Sequence, residues 1–333
     1  MTRILLILAC ASLALTRAMA AGDREILNAS IDVSRELYSS LNPHFIAHWK
    51  QEKGETVSIK QSHQGSSKQA RSILEGLPAD VVTFNQVSDV QVLYTEGKLV
   101  APDWQNHFPN QSSPYYSLTS FLVRKGNPKN IKDWDDLARD DVSIVFPNPK
   151  TSGNARYTYL TAWAYGLRKY KGDEAQTKTF VGKILGHVAV FDTGGRAATT
   201  TFVEREIGDV LITFESETQG IRKEYGADKY DVITPSLSVT GTFPVAVVDK
   251  VVDKKGTRDI AEAYLTFLYS DEAQEVIAQN YYRVHSPKIV AKYAAQFPQI
   301  ELLDVNAIFG PWETIQSKHF ANGALLDQLL KHP

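Results

Sequence analysis

A two-lobed α/β fold is the architecture this sequence predicts, and three observations lead to it. Short apolar, β-branched runs alternate with helix-length amphipathic segments almost throughout, the pattern of parallel sheets with helices on both faces. A length of 333 residues, 43% hydrophobic and 22% charged, suits two domains or one large one. Two turn-rich connections, Asn110–Tyr116 (NQSSPYY) and Thr234–Phe243 (TPSLSVTGTF), stand where a chain would cross between lobes and return.

Residues 1–20 stand apart from that fold. Arg3 is a short positive start, Ile4–Leu15 an apolar run and Ala18-Met19-Ala20 a small-x-small site, the layout of a cleaved secretory signal peptide. The run is too short, and too close to the cleavage site, to anchor in a membrane. The mature protein is therefore expected to be exported and soluble. Cys10, Met1 and Met19 leave with the segment, and residues 21–333 contain no sulfur atom. A large core does not need disulfides, but Met is a common gap-filler. A protein made in quantity when sulfur is scarce gains from its omission, which supports a role in sulfur nutrition.

The expected strands are Glu25–Ile31, Thr56–Gln61, Asp80–Phe84, Leu118–Arg124, Val142–Phe146, His187–Phe191, Val210–Glu215 and Tyr230–Thr234. Ala155–Lys169, Ala175–Leu185, Ile260–Tyr269 and Ala273–Asn280 read as amphipathic helices. Leu37, Leu41, Phe45 and Trp49 keep helical i, i+4 spacing with Pro43 inside it, which implies a kink or two shorter helices. The two connections divide the chain into a discontinuous first lobe, 21–113 with 238–333, and a continuous second lobe, 114–237. A ligand is expected between them, where the carboxyl ends of parallel strands face a crevice.

A formal net charge of −2 gives no bulk attraction for nucleic acid or an anionic membrane. The chemistry lies in four segments that share one design: strand, small polar residues, helix. They are NASIDVSREL (28–37), QSHQGSSKQA (61–70), NPKTSGNARY (148–157) and FDTGGRAATTTF (191–202). The first N–H groups of a helix have no internal partner and point outward from the positive end of its dipole. One such start is ordinary capping, whereas four in one chain point to a common anion site. Their groups are mainly donors: backbone N–H and the hydroxyls of Ser66, Ser67, Ser152 and Thr193. Phosphate near neutral pH carries a proton and needs an acceptor, while sulfate carries none. A donor-only pocket leaves the phosphate O–H unpaired, at about 1–3 kcal/mol.

Other chemistries find little support. The sequence has no G-x-x-x-x-G-K-[ST], H-E-x-x-H or G-x-S-x-G, and Ser152 has no His within its motif for a hydrolase. His44 and His48 read as surface residues with no acidic partner implied. Tyr115-Tyr116 and Tyr281-Tyr282 are of the residue type that captures ferric iron in pairs, but adjacent aromatics at strand and helix ends read first as packing residues. No cofactor, metal or catalytic residue is expected.

The segments carry a resemblance. DVSREL, QSHQGSSKQA, ADVVTFNQVSDV, NPKTSGNARYTYLTAW, FDTGGRAATTTFVE and GDVLITFESE resemble the bacterial periplasmic sulfate/thiosulfate-binding proteins, the capture subunits of ABC importers, across nearly the whole mature chain. The wording of NPKTSGNARYTYL and GDVLITFESE is nearest to the thiosulfate-binding branch. The resemblance implies a type II periplasmic binding fold, each lobe a mainly parallel sheet flanked by helices, closing on a dehydrated oxyanion. It also implies a periplasmic monomer that serves a membrane permease and is not an enzyme. Carried over, Asp32 and Ser66 donate main-chain N–H, with Ser67 beside them. Ser152 gives its hydroxyl, Gly153 and Asn154 their N–H groups, and Gly195 another, with Arg196 next to it. Where sulfate binders have Trp in VLIAWE, this chain has Phe214 in VLITFE. Phenylalanine donates nothing, which suits a ligand whose fourth atom is a poorly hydrogen-bonding sulfur. Ala197 stands where many relatives have Gly, with little effect expected. A sulfate-only or other tetrahedral oxyanion binder is the alternative within the class; a ferric-iron carrier and an exported hydrolase are those outside it.

Overall fold

Two sheets carry the protein, and the computed structural model describes residues 24–331 of it. The proposed signal segment, residues 1–20, lies outside the described residues. In chain order the strands are β1 (Arg24–Ile31), β2 (Val57–Gln64), β3 (Val81–Thr83), β4 (Tyr115–Ser117), β5 (Thr119–Arg124), β6 (Ile144–Pro147) and β7 (Val188–Asp192). They continue with β8 (Val210–Phe214), β9 (Tyr230–Ile233), β10 (Leu237–Val239), β11 (Gly241–Thr242), β12 (Val245–Val247), β13 (Arg283–Val284) and β14 (Glu301–Leu303). The helices are α1 (Arg35–Lys53), α2 (Ser66–Leu74), α3 (Val87–Thr95), the irregular turn α4 (Pro109–Ser112), α5 (Gly153–Lys169), α6 (Glu174–Gly186), α7 (Gly195–Val203) and α8 (Glu215–Tyr225). After them come α9 (Asp249–Lys255), α10 (Arg258–Phe267), α11 (Asp271–Gln279), α12 (Pro287–Lys292), α13 (Val305–Phe309), α14 (Trp312–Ile315) and α15 (Leu325–Lys331).

The first sheet has the order β12-β3-β1-β2 and the second β7-β6-β8-β5-β9. In the first, β1 runs parallel to β2 and β3, and β12 is antiparallel to β3. The second is mixed rather than mainly parallel: β6 is parallel to β7 and β8, but β5 is antiparallel to β8 and β9. The cause is where β5 starts. It leaves the crossing strand β4 with Thr119 level with Phe214, the end of β8, so it runs away from the crevice that β6 and β8 run toward. Apolar spacing carries no strand direction.

Pro43 does not divide α1. The helix is continuous and buries Leu37, Leu41, Phe45 and Trp49, while Pro43 lies on its exposed face. There the carbonyl that Pro deprives of a partner can reach water.

Three short strands in the order β11-β4-β13 join the two halves. The tail touches both groups of segments: β14 pairs with β10, Phe320 lies 5.4 Å from the ring of Tyr159, and Lys150 Nζ donates to the carbonyls of Phe320 and Ala321 at 2.8 and 3.2 Å, while α14 packs against α3. No helix among the described residues is long and apolar enough to cross a membrane.

Candidate anion site

Each of the four segments opens a helix in the structure. The turn Asp32–Ser34 leads into α1, Gly65 precedes α2, Ser152 caps α5 and Gly194 precedes α7. The Ser152 hydroxyl accepts from the Ala155 N–H at 3.4 Å and keeps its own proton to donate. Among the described residues, the N–H groups of Ser66, Ser67, Gly153, Asn154, Gly195 and Arg196 donate to no protein atom, as expected of helix first turns.

Close approaches bring these starts together. A Cβ on Gly65 would lie 3.3 Å from the carbonyl oxygen of Thr151, and one on Gly153 2.5 Å from Asn85 Oδ1. A Cβ on Gly194 would lie 2.9 Å from Asp32 Oδ2, and one on Gly195 2.8 Å from Val33 Cγ1. Each approach joins a segment that precedes β4 to one that follows β5. Glycine lets the two backbones meet, and the positive ends of α2, α5 and α7 then face one region. Asn154 spends its side chain on structure, with Nδ2 donating to Thr213 Oγ1 at 2.7 Å, and only its N–H is free.

Two expectations about side chains need correction. The hydroxyls of Ser66 and Ser67 are not free for a ligand, because both donate to Asp89, at 2.5 and 3.0 Å. Asp89 is buried, and a buried carboxylate draws the nearest donors; α2 therefore offers N–H groups alone. Asp89 also faces Arg156 at 3.6 Å, whose Nε donates to the Pro149 carbonyl at 3.0 Å and Nη1 to Ser88 at 3.1 Å. This pair ties α3 to the first turn of α5. Sequence reasoning missed it, since nothing in two separate helices marks those residues as neighbours. The Arg196 guanidinium likewise turns aside, to Glu36 at 2.7 Å and Glu224 at 3.8 Å.

Phe214 ends β8 and is fully buried. Its ring lies 6.2 Å from Tyr157, one turn along α5 from Asn154, and 5.5 Å from Phe243. A Cβ on Gly241 would come within 2.7 Å of it. Thr193 is exposed, and its carbonyl accepts from Thr151 Oγ1 at 2.8 Å. Tyr115 and Tyr282 pack at 5.1 Å in the core, and Tyr115 shares a 2.9 Å hydrogen bond with Tyr38. His44 and His48 are exposed, but each has an acidic neighbour: Glu272, brought by the fold, lies 2.7 Å from His44, and Glu52, four residues on in the same helix, 3.4 Å from His48. Among the described residues no group of three His, Cys, Asp or Glu is placed to hold a metal ion.

One acid stands beside the site. Glu217 Oε2 lies 4.0 Å from the Cβ position of Gly195. Burial pushes its carboxyl from 4.5 up to about 8; Arg196 pulls the other way, and Asp32, Glu36 and Glu224 add repulsion. Below pH 4.5 the group is protonated whether the chain is folded or not. Between 4.5 and about 8 the unfolded chain ionises here and the folded one does not, so stability falls as pH rises through that window. Glu217→Gln is expected to remove this slope and to melt higher than the parent at pH 8, with little difference at pH 5. Melting curves that stay parallel across that range would contradict the assignment.

Comparisons with known proteins follow the same lines. The family model described as bacterial extracellular solute-binding protein matches residues 33–283. A thiosulfate-binding protein of Escherichia coli K12 is 55% identical over 307 residues, 92% of this chain and 91% of that one. A sulfate-binding protein of the same organism is 48% identical over 319 residues, 96% of each. Among solved structures, the sulfate-binding protein SubI of Mycobacterium tuberculosis H37Rv superposes with a TM-score of 0.80 at 30% identity, covering 89% of this chain and 99% of that one.

Proposed function

The chain belongs to the bacterial extracellular solute-binding proteins, in the family that includes the thiosulfate- and sulfate-binding proteins, and from that premise we propose that it captures thiosulfate, and sulfate with it, in the periplasm for an ABC importer. It binds its ligand without chemistry, as a monomer, and passes it to a membrane permease. The observation that carries this reading is the meeting of free N–H groups from α2, α5 and α7 with the Ser152 hydroxyl at one crevice. Asp32 would add its N–H from the turn before α1. Lobes of about 21–113 with 238–300, and 114–237 with the tail, would close on the anion, donors from both sides favouring the closed form.

The magnitudes suffice. Hydrogen bonds to a charged ligand contribute roughly 1.5–3 kcal/mol each, before the cost of ordering the groups, and micromolar binding needs about −8 kcal/mol net. No cation has to touch the anion. Calorimetric titration of dialysed protein with thiosulfate and sulfate tests the proposal. Both should bind at micromolar levels or tighter, and absence of heat with either would refute it.

Phe214 would face the terminal sulfur of thiosulfate, its apolar ring asking for no hydrogen bond. Phe214→Trp adds an indole donor, so the affinity ratio should move toward sulfate. The larger ring must also fit beside Gly241 and Phe243, at about 1–3 kcal/mol of overpacking. An unchanged ratio in a folded variant would remove Phe214 from the specificity argument.

A further inference from the structure

We propose that the side-chain amide of Asn85 is an anion-contacting group and a determinant of affinity, donating to the ligand from the loop after β3; this rests on the anion site proposed above. Asn85 is 5% exposed, and its Oδ1 has no hydrogen-bond partner among the described residues. A buried polar atom left unpaired costs free energy, and native proteins retain few of them. The place of this one is telling. A Cβ on Gly153 would fall 2.5 Å from Asn85 Oδ1 and 3.1 Å from its Cγ, so the carboxamide lies against the backbone that bears the free N–H groups of Gly153 and Asn154. The Trp49 and Trp163 indoles are also buried and unpaired, but they stand well inside α1 and α5, away from the helix starts.

The chemistry of a carboxamide fits the place. Its terminal torsion is broad and two-fold, so a half-turn exchanges oxygen for the two-donor nitrogen in nearly the same volume. Facing an anion, the group presents Nδ2–H and adds a donor from the first lobe to those of α5 in the second. Gln86, the next residue, is wholly buried with both side-chain polar atoms unpartnered. The loop therefore holds two amides in reserve at the carboxyl end of β3. Asp89, the charged residue nearest to Asn85 in the chain, pairs with Arg156.

Titration of the parent, Asn85→Ala and Asn85→Asp with thiosulfate at pH 8 and pH 5.5 tests the proposal. A parent that does not bind refutes the function and this inference with it. With a binding parent, Asn85→Ala should bind about ten- to a hundredfold more weakly, the effect of one lost hydrogen bond to a charged ligand, with the ligand-free melting temperature unchanged. Asn85→Asp keeps the shape but sets a carboxylate against the anion. It should lose more than the Ala variant at pH 8, and its deficit relative to the parent should shrink at pH 5.5 as the carboxyl takes up a proton. A packing role alone would not produce that pH-dependent ratio. Binding by both variants within about twofold of the parent, or a parent-to-Asp ratio independent of pH, would overturn the inference and leave the function standing. If Asn85→Ala does not fold, the isosteric Asp variant decides alone.

Discussion

Gly153→Ala is expected to reduce thiosulfate binding at least a hundredfold, the upper end of what one lost hydrogen bond to a charged ligand costs, while leaving the ligand-free protein as stable as its parent. The new methyl group would stand 2.5 Å from Asn85 Oδ1 and 3.0 Å from the Asn85 carbonyl oxygen. A side-chain amide can swing away, but the carbonyl of Asn85, in the loop after β3, moves only with its backbone. In the proposed two-lobed arrangement those two atoms face Gly153 across the crevice, so the collision would bear on closure and not on the core of either half. Within α5 itself, alanine is a better helix former than glycine. Calorimetry paired with a melting curve separates the two effects. Binding within threefold of the parent would show that the approach of Gly153 to Asn85 plays no part in holding the ligand.

Arg283→Met should have the largest effect on stability. Glu215, which opens α8 directly after Phe214, is 1% exposed and accepts from Arg283 Nε at 2.7 Å and Nη2 at 3.0 Å. The guanidinium also donates to the Pro298 carbonyl at 2.8 Å and faces the Phe297 ring at 5.1 Å. Removing it leaves a buried carboxylate without its partner, a loss of about 3–5 kcal/mol. The double variant Arg283→Met with Glu215→Gln should regain part of that, because a neutral amide is cheaper to bury than a charge. A melting temperature unmoved by the single substitution would show the pair to be dispensable. Since Arg283 lies on the crossing strand β13 and Glu215 begins a helix of the second half, the same pair fixes the backbone that carries Phe214.

The parts of this fold legible in the sequence are those written locally. β1, β5 and β8 are short runs rich in apolar residues, and their ends fall within a residue of expectation. β2 continues three residues past its predicted end, through Ser62-His63-Gln64, because an edge strand with polar residues has no apolar signal to follow. The helix starts could be read from Ser152, Gly65 and Gly194, whose residue types answer the demand for a cap or a close approach. What stayed hidden depends on distant segments meeting. The commitment of the Ser66 and Ser67 hydroxyls to Asp89, the Asp89–Arg156 pair, the place of Asn85 against Gly153 and the tail's return to α5 all arise from tertiary contact. No spacing within one segment encodes them. The Asn154 side chain shows the boundary well: its N–H role follows from a first-turn position, its bond to Thr213 only from the fold.

A site made of hydrogen-bond donors should select an anion that carries no proton, and phosphate competition at pH 7 puts this selectivity to the test. The protein is loaded with thiosulfate, and bound ligand is followed as phosphate is added. Phosphate should displace it only at concentrations about a hundredfold or more above those at which sulfate competes, since its hydroxyl would be buried against donors and left unpaired, at about 1–3 kcal/mol on top of the donor bond it forfeits. Displacement at concentrations comparable to those at which sulfate competes would contradict a donor-only site, and would mean that an acceptor, with Asn85 Oδ1 the first to examine, faces the ligand.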